Sequence, residues 1–131
     1  MNSHLTLALG WIRKADSDLS DARRTIASEG PYDTACFHAQ QAAEKYLKAL
    51  LAFRERPIPR THDLDELALS CDQLDPSLRL SELELGELTG HGVESRYDVE
   101  FWPRRETAAE TAAVAERVRS LILPLIPTTK G

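Results

Sequence analysis

Histidine side chains are the groups in this chain best suited to moving protons near neutral pH, where an imidazole gains and loses its proton. The chain has four, His4, His38, His62 and His91, and His4 is set aside because it lies near the amino terminus. His38 lies in an alanine-rich helical segment, where it can contact a ligand or form a hydrogen bond with a neighbouring residue. His62 precedes a predicted helix, whose dipole favours a neutral imidazole there. Its alternative role is to cap that helix or fix the preceding loop.

Arg96 and Tyr97 are adjacent and form a second candidate site. A guanidinium beside an aromatic ring can hold a phosphate and stack a base in one place. The alternative is structural: Tyr97 fills the core, and Arg96 pairs with Glu44 or Asp98. These residues therefore predict either a nucleotide-binding site or a buried contact.

The common signatures of phosphate, metal and serine-nucleophile sites are absent from the sequence. There is no P-loop, no G-x-G-x-x-G, no H-E-x-x-H and no G-x-S-x-G. Cys36 and Cys71 lack C-x-x-C spacing and paired histidines, so we interpret them as buried free thiols. We expect no metal and no cofactor, and any catalysis would use acid–base groups.

The balance of charges argues against a protein that coats nucleic acid nonspecifically. The net charge is −5, whereas such proteins rely on many lysines and arginines to neutralise phosphates. The arginines nevertheless occur in groups, which can line one cleft for RNA or a nucleotide or form a solvated helix surface. The groups are Arg23 with Arg24, then Arg54, Arg56 and Arg60, then Arg96, Arg104 and Arg105.

Length and composition predict one folded domain. The chain has 131 residues, of which 42% are hydrophobic and 28% charged, and this suits a single core. We expect the domain to span residues 1–127, with a short tail at 128–131. The first residues lack the basic start and apolar run of a secretory signal, and no segment has the roughly 20 apolar residues of a membrane span. We therefore predict a cytoplasmic protein with no membrane contact.

The segment 32–51 is the strongest structural signal, because small residues recur along it at helical spacing. Such spacing places them on one broad face, and small side chains let a neighbouring helix approach closely. We therefore predict a central helix with most of its surface buried. The predicted buried face consists of Ala35, Cys36, Ala39, Ala42, Ala43, Tyr46, Leu47 and Leu50.

Further helices are predicted on both sides of this segment. The first spans about residues 5–28 and the last about 105–123, each with apolar residues three and four apart. Two prolines make 54–61 a rigid loop, after which Thr61 or Asp63 caps a third helix that Asp75 and Pro76 close. Ser81 and Glu84 fit the S-x-x-E capping box of a fourth helix. The prediction is an all-α, four-to-five-helix up-and-down bundle.

Several segments, taken in order, resemble the HEPN family of small helical proteins. They are WIRKADSDLSDAR, GPYDTACFHAQQAAEKYLKALL, THDLDEL, SRYD and the alanine-rich last helix. The resemblance implies a HEPN-like bundle that forms a homodimer. It also implies a partner, because many prokaryotic members are encoded beside a minimal nucleotidyltransferase and form a toxin–antitoxin pair in which the HEPN protein is the toxin.

Many HEPN proteins are metal-independent RNases that use an R-x(4-6)-H motif, with arginine and histidine contributed by two subunits. After Arg96 the expected histidine positions hold Phe101, Trp102 and Pro103, so the motif is broken there. A formal match remains at Arg56 and His62, which five residues separate within the proline-containing loop.

Two functions follow from the resemblance, with a third reading beside them. The first is a module that binds RNA or a nucleotide, or interacts with a nucleotidyltransferase, through Arg96, Tyr97, Arg60 and His38. The alternative is an endoribonuclease toxin that uses His62, Arg56 and Arg96 as catalytic residues. The third reading is a purely structural adaptor held by the alanine-rich face.

Overall fold

Four α-helices pack into a bundle in this computed structural model, which describes residues 3–86 and 99–127. We number them in chain order as α1 Ser3–Ile26, α2 Asp33–Phe53, α3 Leu64–Leu74 and α4 Arg105–Ile122. Short 3-10 turns lie at Pro76–Leu78, Leu80–Leu83 and Leu123–Leu125. No β-strand occurs within the described ranges. The predicted all-α helical bundle is confirmed.

The helix α2 is the centre of the bundle, as its alanine spacing predicts. It packs against α1, α3 and α4, and 13 of its 21 residues are buried. Every residue of the predicted buried face is fully buried. On α1 the buried residues follow the same three-and-four spacing and are also mostly small: Ala8, Ile12, Ala15, Leu19 and Ala22. Alanine facing alanine lets the two backbones lie close together.

A Schellman motif ends α2 and sets the direction of the loop that follows. Glu55 adopts a left-handed conformation with φ of 55°, and its N–H bonds to the carbonyl of Ala52 at 3.1 Å. The N–H of Arg56 bonds to the carbonyl of Leu51 at 2.9 Å. These two bonds satisfy carbonyls that the helix end leaves open. The chain then leaves the bundle surface through Pro57.

Asp63 is the N-cap of α3, one of the two caps expected from the sequence. Its carboxylate accepts hydrogen bonds from the N–H groups of Asp65 at 3.0 Å and Glu66 at 3.4 Å. Thr61 has a different role, because its hydroxyl oxygen accepts from the N–H of Asp63 at 2.9 Å. The cap therefore fixes the start of α3 directly after His62.

The prediction that a helix begins at Ser81 is wrong. Ser81 lies in the 3-10 turn Leu80–Leu83, and Glu84 has a left-handed backbone with φ of 53°, so no capping box forms. Asp72 explains the difference, since its carboxylate accepts from the N–H of Leu80 at 2.8 Å and of Ser81 at 3.0 Å. Asp72 on α3 thus satisfies the Ser81 N–H, the donor that the Glu84 side chain of a capping box would have satisfied.

The last helix, α4, is joined to the end of α1 by one arginine. Arg105 donates from Nε to the carbonyl of Ile26 at 3.0 Å and from Nη2 to the carbonyl of Ser28 at 2.8 Å. Its guanidinium also lies 5.3 Å from the centre of the Tyr32 ring. None of the helices in the described part has both the length and the apolar character needed to cross a membrane.

Candidate functional site

A buried carboxylate, that of Glu44, lies where α2 meets the loop before α3. Its side chain is only 4% exposed, and three side chains surround it as hydrogen-bond donors. Lys48 Nζ lies 2.8 Å from Oε2, His62 Nδ1 lies 3.1 Å from Oε1, and Gln40 Nε2 lies 3.3 Å from Oε1. Burying a carboxylate is costly unless it is paired and hydrogen-bonded, and these donors meet both conditions. We call these four residues the Glu44 cluster.

His62 is the exposed member of the Glu44 cluster. Its side chain is 77% exposed although its Nδ1 is held by a buried group. Because α3 begins directly after it, the N-cap at Asp63 and the bond to Glu44 together fix the position of the ring. A histidine held at one nitrogen by a carboxylate is the arrangement of many acid–base catalysts. The sequence pattern identified His62, but it did not identify Glu44.

The helix α1 covers Lys48 with an aromatic ring. Lys48 Nζ lies 5.6 Å from the centre of the Trp11 ring, which is within range of a cation–π interaction. The indole Nε1 of Trp11 is buried and has no hydrogen-bond partner among the described residues. The ammonium group of Lys48 lies against a carboxylate on one side and an aromatic face on another, and the Lys48 side chain is only 12% exposed.

His38 lies in a second arrangement of the same kind, between α1 and α2. Its Nδ1 is 2.9 Å from Oδ1 of Asp18, and Lys45 Nζ donates to the other oxygen of that carboxylate. The structure thus brings His38 to Asp18 rather than to His62. Of the two interpretations of His38, a histidine satisfied by a neighbour matches this contact.

A third polar contact crosses three helices. The hydroxyl of Tyr46 on α2 donates to Asp16 on α1, and Arg119 Nε on α4 donates to the same oxygen at 3.0 Å. Burial, followed by the bond to Asp16, raises the pKa of the Tyr46 hydroxyl above its ordinary range. The bond to Asp16 likewise raises the pKa of Arg119. These groups are fixed in one charge state at neutral pH, so we assign them to stability.

Three arginines without an ion-pair partner lie on the loop beside His62. Arg54, Arg56 and Arg60 are exposed, and none pairs with a carboxylate in the described part of the chain. Arginines elsewhere are often neutralised by a carboxylate. These pairs are Arg23 with Glu116, Arg24 with Asp21, Arg79 with Glu82 and Arg119 with Asp16. The loop is therefore a local positive surface on an acidic protein.

Arg56 lies at the edge of two surface depressions in the described part of the chain. Arg56 borders a surface depression of about 260 Å³ with Leu51, Pro57, Ser70, Gln73 and Leu74. It also borders a second depression with His4 and Leu7, and His62 lies in the wall of neither. Arg56 follows the carboxyl end of α2, where a positive charge is favoured by the helix dipole. The helix dipole of α2 is therefore a structural explanation for the position of Arg56.

The other predicted site residues, Arg96 and Tyr97, lie outside the described residues, as does His91. Within the described ranges, no group of three or more histidine, cysteine, aspartate or glutamate side chains is arranged to hold a metal ion. The two cysteines are buried free thiols, as predicted. Burial raises the pKa of Cys36 to about 11 and that of Cys71 to about 12.

We compared the amino-acid sequence with models of protein families. The model described as HEPN domain matches residues 8–125, which is nearly the whole chain. The chain belongs to the HEPN family. Neither the curated proteins nor the solved structures yield a significant match to it.

The HEPN match covers α1 from residue 8 onward, the other three described helices and the loop that carries His62. The family resemblance drawn from the sequence is therefore confirmed, and the chain is a HEPN-type helical module. What the sequence missed is the Glu44 cluster. The available signal was the four-residue spacing of Gln40, Glu44 and Lys48 on α2, a spacing at which side chains meet.

Proposed function

We propose that this HEPN protein binds RNA or a nucleotide through the loop 54–62 and is one component of a toxin–antitoxin pair. The observation that carries the proposal is the group of three exposed arginines on the loop that leads to the exposed ring of His62, none of which has an ion pair within the described residues. They are Arg54, Arg56 and Arg60. Unpaired guanidinium groups bind phosphates without first breaking an ion pair. On a chain of net charge −5, such a loop gives a polyanion one favourable place to bind.

The binding test measures the fluorescence anisotropy of a labelled single-stranded RNA in EDTA. We expect Arg56→Ala and Arg60→Ala each to raise Kd about 3- to 10-fold and to lower the salt dependence by about one counterion. Arg117→Ala is the matched control, because Arg117 is also exposed and unpaired but lies on α4. Equal weakening by the control would show that only net charge matters and would contradict a site at the loop. A wild type that binds neither RNA nor a mononucleotide would contradict the binding function.

The partner we propose is a minimal nucleotidyltransferase, and the HEPN protein itself is proposed to be a homodimer. Both rest on family membership. Co-expression with a minimal nucleotidyltransferase is the test, with growth as the readout. We expect the HEPN protein alone to arrest growth and the partner to relieve the arrest. Light scattering of the purified chain gives the oligomeric state, and a monomer would contradict the dimer.

The second candidate function is metal-independent RNA cleavage. The bond between Glu44 and His62 favours it, because that bond orients an imidazole at the end of the loop that carries the three exposed arginines. In the proposed step, His62 takes the proton of a 2′-hydroxyl, and the 2′-oxygen forms a bond to phosphorus. The bond from phosphorus to the 5′-oxygen breaks, and the departing oxygen takes a proton from water. A nearby guanidinium would stabilise the charge on the phosphorane.

Cleavage of a mixed RNA in EDTA separates the two functions. An RNase gives products ending in a cyclic phosphate, and His62→Ala lowers the rate about 10²- to 10⁴-fold. Arg117→Ala, prepared identically, should cleave at the wild-type rate. If the wild type binds RNA without cleaving it, the binding function stands and the enzyme is excluded.

A further inference from the structure

The Glu44 carboxylate determines which nitrogen of His62 carries a hydrogen. An ionised carboxylate only accepts hydrogen bonds, so a nitrogen bonded to it must carry the proton. The nitrogen bonded to Glu44 is Nδ1, at 3.1 Å from Oε1 and 3.3 Å from Oε2. In the neutral ring the lone pair is then on Nε2, whereas free imidazole side chains favour the opposite tautomer.

We infer that Glu44 is the positioning residue of this site: it holds His62 as the Nδ1–H tautomer and so makes Nε2 the proton acceptor toward RNA. The inference rests on the proposed RNA cleavage for its functional meaning. Its structural part, the tautomer, can be measured whether or not the protein cleaves RNA. Glu44 acts through His62 and touches no substrate itself.

The neighbours of Glu44 make it suitable for this role. Lys48 compensates the charge of the carboxylate, and Gln40 fills a further acceptor position on it. Gln40 is itself held, because its side-chain oxygen accepts from Gln41 Nε2 at 2.9 Å. Glu44 also lies on the most buried helix of the bundle, so its carboxylate has a fixed orientation. A ring bonded to it inherits that orientation, as in other carboxylate–histidine pairs.

Replacing Glu44 by glutamine should reverse the tautomer with little change in shape. Glutamine has one acceptor oxygen and one amide group that donates. The ammonium of Lys48 only donates, so it will bond to the oxygen and leave the amide group facing His62. The amide group then takes the place of Oε1, which is the glutamate oxygen nearer to Nδ1, so it donates to Nδ1 and the proton moves to Nε2. The same exchange at Asp18→Asn affects His38, which lies in a matching arrangement with Lys45, and should leave His62 unchanged.

The experiment is long-range ¹H–¹⁵N NMR of the histidine rings in the full chain at about pH 8, where an ordinary imidazole is neutral. We expect His62 as Nδ1–H in the wild type and in Asp18→Asn, and as Nε2–H in Glu44→Gln. A wild-type His62 that carries a proton on Nε2, as the other tautomer or as the imidazolium, overturns the inference. So does a Glu44→Gln protein whose His62 keeps the wild-type tautomer. The wild-type spectrum tests the inference even if Glu44→Gln fails to fold.

Cleavage assays on the same proteins separate this inference from the function it rests on. We expect Glu44→Gln to lose about 10²- to 10⁴-fold in rate, as His62→Ala does, and Asp18→Asn to lose less than about 3-fold. A cleaving wild type whose rate survives Glu44→Gln overturns the positioning role while the RNase function stands. If the wild type does not cleave, the RNase function fails, and the role assigned to Glu44 in proton transfer fails with it. The tautomer is then decided by NMR alone.

Discussion

His38 and His62 have nearly the same immediate surroundings and different neighbours beyond them. Each imidazole bonds through Nδ1 to a carboxylate that also accepts from a lysine. The loop that leads to His62 carries three exposed arginines, whereas His38 is 32% exposed between two packed helices. A carboxylate partner therefore does not by itself mark a functional histidine in this fold. The nearby unpaired positive charge distinguishes His62.

The two thiols should be unreactive in the folded protein. Thiolates react and thiols do not, and burial raises the pKa of Cys36 to about 11 and of Cys71 to about 12. At about pH 8 we expect a disulfide reagent to label the native chain at least about 100-fold more slowly than the denatured chain. Absorbance of the released thiol measures both rates. Fast native labelling of either cysteine would contradict its burial.

At the residue scale, the sequence predicted which side chains are buried in the core but did not predict which polar side chains bond to each other. Cys36 and Cys71 are buried because they fall on apolar helical faces, which periodicity reveals. Glu44 looks like a surface residue by the same criterion. Its burial depends on His62, a donor 18 residues away in sequence, and helical spacing carries no information about such a partner.

At the scale of elements, Arg105 joins α4 to the end of α1. It donates one hydrogen bond to the carbonyl of the last α1 residue, Ile26, and one to the carbonyl of Ser28 just beyond it. It also lies over Tyr32, which itself donates to the carbonyl of Ser28 at 2.9 Å. The start of one helix therefore satisfies the open carbonyls at the end of another. This contact fixes the turn that leads into α2.

We expect Arg105→Ala to lower the free energy of unfolding by about 1 kcal/mol, because two hydrogen bonds are lost at a partly solvated site and the Ser28 carbonyl keeps only its bond from Tyr32. Arg105→Lys should recover less than half, since an ammonium lacks the planar fork that reaches both oxygens. Urea unfolding followed by circular dichroism gives the values. Arg104→Ala is the control and should stay within about 0.5 kcal/mol of the wild type. An equal loss in both variants would argue that charge rather than the two bonds is responsible.

Element types were predictable from the sequence where one periodic pattern extended over many residues, and unpredictable where a distant side chain intervened. The patterns of α1, α2 and α4 each span several turns, and their ends were expected to within a few residues. The short segment after α3 has no comparable pattern. There Asp72 bonds to two backbone N–H groups of Leu80–Leu83, and a capping signature at Ser81 could not reveal that competition.

At the scale of the whole molecule, stability should fall as the solution becomes alkaline. The folded-state pKa values of Cys36 and Cys71 lie above those of the unfolded chain, so the unfolded state loses thiol protons first. The stabilisation is complete below the unfolded pKa and is lost as pH rises toward the folded pKa. Between about pH 8 and about pH 10, each thiol should lower the free energy of unfolding by about 2 kcal/mol.

Chemical unfolding at several pH values tests this slope. The double variant Cys36→Ala with Cys71→Ala is the control, because tyrosine and lysine ionisation continues in it while the thiol contribution is gone. We expect a shallower decline with pH in the variant than in the wild type. Parallel declines would mean that the thiols do not govern the alkaline limit of stability.

The whole-molecule architecture was the most predictable level, because it depends on one helix. The alanines of α2 and α1 identify a close helix pair, and the remaining helices must cover what that pair leaves apolar. The candidate site was less predictable. His62 and Arg56 have a spacing in the sequence that fits a catalytic motif. In the structure, however, Arg56 follows the Schellman motif and borders two depressions that His62 does not line. The spacing of two residues along an irregular loop does not predict whether their side chains point to the same side.

The bond between Glu44 and His62 also joins two parts of the chain that move at different rates. Amide hydrogens in the middle of α2 exchange with solvent only when the bundle opens, whereas those of an exposed loop exchange through local fluctuations. We therefore expect loop amides around His62 to exchange faster than amides in the middle of α2. One side of the site therefore belongs to a helix that opens only when the bundle unfolds, and the other side belongs to a surface loop. On this basis we expect the loop side to rearrange around a ligand without unfolding of any helix.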